Sequence, residues 1–147
     1  MAVTNLSFSA QVDEWCRATE ARMLAVRNQA AEDVIDRMRS YTPIQYGFLA
    51  GTIQASTDAP VPIDPSKTNA ANAHIAADAS AGQISLVIAN APLSSTIYGT
   101  FTMSYALYVN YGTSKMAPRA MVQRAAAEWP QIVNSAVTRA KARAGAS

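Results

Sequence analysis

The stretch Tyr105-Ala-Leu-Tyr-Val-Asn-Tyr-Gly-Thr-Ser-Lys-Met-Ala-Pro118 decides how the rest of the chain is read. It gathers three of the six tyrosines, closes on Gly112, and delivers Lys115, Pro118 and Arg119 to the start of a long helical pattern. As a helix, Tyr105 and Tyr108 lie three apart and Leu107 and Tyr111 four apart, so adjoining faces are covered and Gly112 takes the left-handed terminal position. As a strand, Tyr105, Leu107, Val109 and Tyr111 would share one face. The glycine stop and the Ala, Leu and Tyr content favour the short helix.

Downstream, Val122, Ala125, Trp129, Ile132, Val133, Ala136 and Ala140 recur at helical spacing, and Pro118 suits the first turn of that helix. Pro130 interrupts it by removing a backbone donor and crowding the preceding turn, which predicts a kink near 126–130 or two helices meeting there. Upstream, Thr96 to Met103 reads as a strand, with Ile97, Gly99, Phe101 and Met103 on one face. Gln83 to Asn90 alternates Ile84, Leu86 and Ile88 with Ser85, Val87 and Ala89, and reads as a central strand paired with it in an antiparallel hairpin. A further strand is expected over 51–57, with Ile53 and Ala55 inward and Thr52, Gln54 and Ser56 outward. Between them, residues 58–82 carry Pro60, Pro62 and Pro65 and little to bury. They read as a flexible insertion, with at most a turn or two of helix around Ala70 to Ala77.

The N-terminal segment reads as an extended arm with Leu6 and Phe8 as anchors. From a Ser9 N-cap, Phe8, Val12, Trp15 with Cys16, Met23, Val26, Ala30, Val34 and Met38 then repeat at three- and four-residue steps. Asp13 and Glu14 sit near the positive end of the dipole. This helix should run for roughly thirty residues, ending ahead of Pro43, with its apolar stripe covering a sheet or a partner helix. Gly47 breaks the chain and Phe48-Leu49 return to the core. The fold class expected is α+β, a single domain over 1–147 in which an antiparallel sheet packs against a long N-terminal helix and a kinked C-terminal helix.

Only 15% of the residues are charged, against the ~25% usual for soluble domains. A weakly charged surface suits a subunit of an assembly better than a solitary enzyme. The net charge of +2 is unevenly spread: residues 113–147 carry Lys115, Arg119, Arg124, Arg139, Lys141 and Arg143 against Glu128 alone. That basic quarter could face phosphates without reading bases, or it could simply complement the negative end of a helix dipole as a solvated tail. The single cysteine, Cys16, excludes an intramolecular disulfide framework and reads as a small buried hydrophobe. No charged-then-apolar leader is present, and no apolar run approaches the ~20 residues of a membrane span. The chain is therefore expected in the cytoplasm until it is assembled, without a membrane partner.

Catalytic groups are sparse. His74 stands alone in the insertion, with Asp58, Asp64 and Asp78 scattered around it, a poor setting for two carboxyl groups at fixed separation. There is no HExxH, no cysteine pair, no calcium loop and no glycine-rich phosphate loop. No catalytic residue, metal site or cofactor is assigned.

Tyr105-Ala106, Tyr111, Gly112-Thr113 and then Lys115-Met116-Ala117-Pro118-Arg119 ahead of a helix, together with Pro43, Gly47, Phe48 and Leu49, resemble the neck or tail-completion family of long-tailed bacteriophages, whose members connect head to tail. The resemblance covers most of the chain, least of all its middle. Where that family has Asp-Thr before the glycine and a basic residue after the leucine, this chain has Gln45, Tyr46 and Ala50; where it has an acidic residue before Tyr-Gly-Thr, this chain has Asn110. The resemblance implies a virion structural protein of the head-tail junction. It would form a homo-oligomeric ring, hexameric if it follows tail symmetry, that touches other neck, head-closure, tail-terminator or tail-tube proteins, with DNA passing through its lumen. Within that role the contact surface is expected on Tyr105, Tyr108, Tyr111, Lys115, Met116 and Arg119, since tyrosine, methionine and arginine are enriched in interface cores, and Arg139, Lys141 and Arg143 could face the lumen or DNA. Tyr105 and Tyr108 could equally be packed on the sheet. A tail terminator or head-closure ring subunit would share this size and fold class, and a small DNA-binding module using the basic C-terminal helix is the alternative of another kind.

Overall fold

The computed structural model describes residues 7–43, 47–65 and 73–145, with the side chains of 47, 48 and 73–79 outside that description. The first element, α1 (Phe8–Tyr41), is 34 residues long. Its N-cap is Ser7, two residues ahead of the expected Ser9: the Ser7 hydroxyl accepts the Ala10 N–H at 3.3 Å. At the other end the Thr42 N–H reaches the Arg39 carbonyl at 3.1 Å and the Thr42 hydroxyl the Met38 carbonyl at 2.9 Å, closing the helix just before Pro43 as the proline requires.

Among the described residues, those of α1 that are buried all lie in its second half. Ala30, Ala31, Ile35 and Met38 are buried, whereas Phe8, Val12, Trp15 and Met23 on the same apolar stripe are exposed. Phe8 therefore anchors nothing within the described residues, and Cys16, expected in the core, is exposed. Length accounts for this. At 1.5 Å per residue α1 spans about 50 Å, while α6 (Trp129–Gly145), the helix lying along it, spans about 25 Å. The two run antiparallel, tied by Arg37 to Glu128 at 3.1 Å and Arg139 to Asp33 at 2.6 Å.

The expected hairpin of 83–90 with 96–103 does not form. Residues 83–90 belong to α3 (Ala73–Asn90), and the two-stranded antiparallel sheet joins β1 (Ile53–Ser56) to β2 (Tyr98–Phe101), with Ile53 opposite Phe101. The short alternating run Ile84, Leu86, Ile88 fits both periods, and packing decides between them. Ser80, Ile84, Ile88 and Ala91 are buried at helical spacing, while Leu86 is 65% exposed. The helix also supplies what a third strand would have given. Its Gln83 amide donates to the Ala55 carbonyl at 2.8 Å and accepts the Ala55 N–H at 3.0 Å, and Ser80 donates to the Ile53 carbonyl. The open edge of β1 is thus closed by side chains. Ile53 and Ala55 point inward as expected, but Thr52 is buried too, its hydroxyl bonded to the Leu49 carbonyl at 2.7 Å.

The insertion is correspondingly shorter than the expected 58–82, since α3 begins at Ala73. Asp64 is pinned by its N–H to the Thr102 carbonyl at 2.9 Å. The remainder, 66–72, and the side chains of His74 and Asp78 lie outside the described residues, as do Leu6, Gln45 and Tyr46 and the Phe48 side chain; Leu49, within the single turn α2 (Gly47–Ala50), is fully buried.

The C-terminal pattern is two helices, α5 (Met121–Ala127) and α6, meeting at Glu128, with Pro130 in the first turn of α6 where its missing donor costs nothing. Pro118, expected to open this helix, precedes it; α5 is preceded by Ala120 in the left-handed region at φ 48°. The junction is fastened to α1: Tyr41 donates its hydroxyl to Glu128, and the Arg124 guanidinium lies 3.9 Å from the Tyr41 ring centroid. One core cluster joins α1, α3, the sheet, Val109 and Met121, and a smaller one joins Ala30 to Ile132 and Ala136.

Helix packing at α3 has a direct check. Ile88→Ala, at a fully buried site, should cost about 2–5 kcal/mol in thermal or urea unfolding. Leu86→Ala should stay within about 0.5 kcal/mol of the parent. Equal losses at the two positions would mean that they share a face.

Candidate interface

After β2, Met103 is buried and the chain turns into α4 (Ala106–Tyr111). Ala106, Val109 and Asn110 face inward, so Leu107, Tyr108 and Tyr111 are left on the outer side, with Tyr108 58% and Tyr111 63% exposed. Gly112 ends the helix as expected, its N–H bonded to the Tyr108 carbonyl at 2.8 Å, though not in the left-handed helical conformation expected of it. Its φ of 78° and ψ of 174° lie in a region open essentially to glycine alone. A Cβ there would also lie 2.7 Å from the Pro118 nitrogen and 2.8 Å from the Met116 carbonyl oxygen. Conformation and space thus demand the same residue.

Gly112 throws the chain into a tight turn. The Thr113 N–H reaches the Met116 carbonyl at 2.8 Å, the Met116 N–H returns to Thr113 at 3.3 Å, and the Lys115 N–H meets the Thr113 hydroxyl at 3.2 Å. The following segment doubles back on α4. The Arg119 N–H takes the Val109 carbonyl and the Ala120 N–H the Asn110 carbonyl, both at 2.9 Å, satisfying two acceptors that a helix end leaves open. The buried Asn110 then accepts the Val122 N–H at 3.1 Å through its side-chain oxygen, so it caps α5 from a distance where Ala120 has no side chain to do so. This explains a polar residue just before Tyr111-Gly112: its task is to accept a helix N-terminal N–H.

The six expected interface residues divide accordingly. Tyr108, Tyr111, Lys115 and Arg119 are exposed on this corner; Tyr105 and Met116 are partly buried and packed against the core. Leu107, paired with Tyr111 in the sequence but left out of the expected contact set, is exposed beside the two tyrosines. Of the basic residues near the C-terminus, Arg139 is paired with Asp33, while Lys141 and Arg143 are exposed.

Among the described residues no three His, Cys, Asp or Glu side chains converge as a metal site would need, and no helix is long and apolar enough to cross a membrane. The arrangement is that of an α+β domain presenting a backbone-locked aromatic and basic corner. No family model, no curated protein and no solved structure matches the chain.

Gly112→Ala should destabilise the domain by at least about 2 kcal/mol, because the clash is with backbone atoms that cannot yield cheaply. Thermal unfolding measures it; a melting temperature equal to the parent would show that the corner does not need this turn.

Proposed function

We propose that this chain is a structural subunit of the head-tail junction of a long-tailed bacteriophage, acting as a ring between the head connector and the tail. Supporting this reading are the resemblance at residues 43–49 and 105–119 and the low charge of the chain. The observation that carries it is the corner itself: Leu107, Tyr108 and Tyr111 stand exposed beside Lys115 and Arg119 on a segment whose backbone is fixed from both sides. Tyrosine and arginine dominate interface hot spots, and a pre-ordered segment loses little entropy when it docks.

The role is mechanical. Each contact is modest, and closed symmetry makes the contacts additive so that the tail stays attached. The partners are further copies of this chain and the adjoining neck, head-closure, tail-terminator or tail-tube proteins. DNA passes through the lumen without sequence-specific contact, met by Arg143 more than by Arg139, whose charge is held by Asp33. No reaction, cofactor or metal belongs to this reading, and its place of action is the virion, reached from the host cytoplasm.

Replacing both Lys115 and Arg119 by glutamate should leave the melting temperature of the isolated chain within a few degrees of the parent, since both side chains are exposed. The same double variant should lower the yield of tailed particles about tenfold or more in a complementation assay. Parental yields would remove the corner from the junction.

A further inference from the structure

We propose that the projecting half of α1 in one copy of this chain packs into the groove between α1 and α6 of the next copy, head to tail. The last residues of α6, among them Arg143 and Ala144, lie against Ala21, Arg22 and Ala25, so residues 8–20 of α1 extend about 20 Å past the end of α6. Their apolar stripe is large: Phe8 is 83% and Trp15 67% exposed, with Val12 between them. Residues 8–41 contain neither glycine nor proline, so this arm has no hinge residue on which to fold back over its own body.

The groove is its chemical complement. It has a volume of about 760 Å³ and is walled by Met23, Trp129, Val133 and Val137, and its charged residues are Arg22, Arg27 and Lys141, with no carboxylate among them. Arg27 is fixed on the wall by the Ala91 carbonyl at 2.6 Å, the Asn28 side chain at 2.8 Å and the Pro92 carbonyl. The arm carries Asp13, Glu14 and Glu20 against Arg17, a net charge of −2 over residues 8–20 (one cation less three anions). The ion pairs Arg37–Glu128, Arg39–Asp36 and Arg139–Asp33 use none of these arm or groove charges.

An apolar acidic helix therefore faces an apolar basic groove on the same molecule. Two arms pairing with each other would instead bring like charges together. Scaled to their exposures of 83% and 67%, Phe8 and Trp15 alone would cover about 225–375 Å², nearly half at the upper end of the ~800 Å² that one partner contributes to a standard interface. Arm and groove are different surfaces, so the contact is heterologous, the kind that closes rings. The inference deepens the ring reading and rests on it for closure alone; the contact itself stands on the arm and the groove. It also gives Lys141 a protein partner in place of the lumen.

The test is the mass of the full chain by light scattering over a wide concentration range. The parent should form a closed oligomer. Trp15→Ser on the arm and Val137→Glu in the groove should each weaken association tenfold or more with helix content unchanged by circular dichroism. Exposed Lys141→Glu, which leaves folding aside, should weaken it in low salt. Mixing the Trp15→Ser and Val137→Glu chains should give heterodimers and nothing larger, because one intact arm and one intact groove remain. A parent that is monomeric throughout, or an oligomer of the same mass in all three variants, overturns the arm-in-groove contact and leaves the virion reading to the particle assay. Association with this mutational pattern alongside particles that assemble fully without the chain would retain the contact and remove the virion role.

Discussion

Burial of one face of α1 between Ala30 and Met38 is the constraint to which the remaining elements conform. β2 approaches so closely that a Cβ at Gly99 would sit 3.0 Å from the Ile35 Cγ1, leaving glycine as the residue that fits without displacing Ile35. α5 brings Met121 and Ala125 to the same cluster, and α6 adds Ile132 and Ala136 beside Ala30. Because a two-stranded sheet is too small to stand alone, its stability derives from this helix on one side and from the side chains of α3 along its edge. The polar knot of Tyr41, Glu128, Arg37 and Arg124 sets where the C-terminal pattern breaks and turns back along α1.

The legible part of this fold was the part governed by local chemistry. Pro43 and Pro130 end or divide helices by what their rings and missing donors forbid, and both did so. Gly112 closed the tyrosine segment for a reason visible in the sequence, and Ile53 and Ala55 faced inward. What was not legible depended on partners far along the chain. The run from Gln83 to Asn90 is too short and too apolar for periodicity to decide, and only Ser80 and Gln83 reaching β1 show why a helix serves there. Burial of Trp15 and Cys16 was inferred from a stripe that continues unchanged into Met38, because a sequence pattern records which face is apolar and not how much of it the rest of the chain is long enough to cover. At the corner, Tyr111 is exposed; of the two tyrosines that the sequence left open between an outer face and the sheet, Tyr108 is exposed, while Tyr105, like Met116, belongs to the domain's own packing. The Asn110 contact to α5, twelve residues on, has no local signature.

Exposed aromatic surface is costly to leave in water, and this chain does so at two places built in different ways. The corner is a short helix held by backbone bonds on both flanks, which resists bending but offers little area. The arm is a long helix without a hinge, which offers area but, among the described residues, is not backed by α6 beyond Ala21 and has only Leu93 and Ser94 beside Arg17 and Glu20. Both lead into the same helix by short, fully bonded routes: the arm is α1 itself, and the corner passes through Asn110 and Val122 into α5, whose Met121 and Ala125 pack in the core that includes Ile35 and Met38. A pull applied to either surface is thereby carried by packed helices and backbone hydrogen bonds and bypasses the segment around 57–65. The two surfaces are mechanically coupled because the buried and the exposed parts of α1 are one uninterrupted helix.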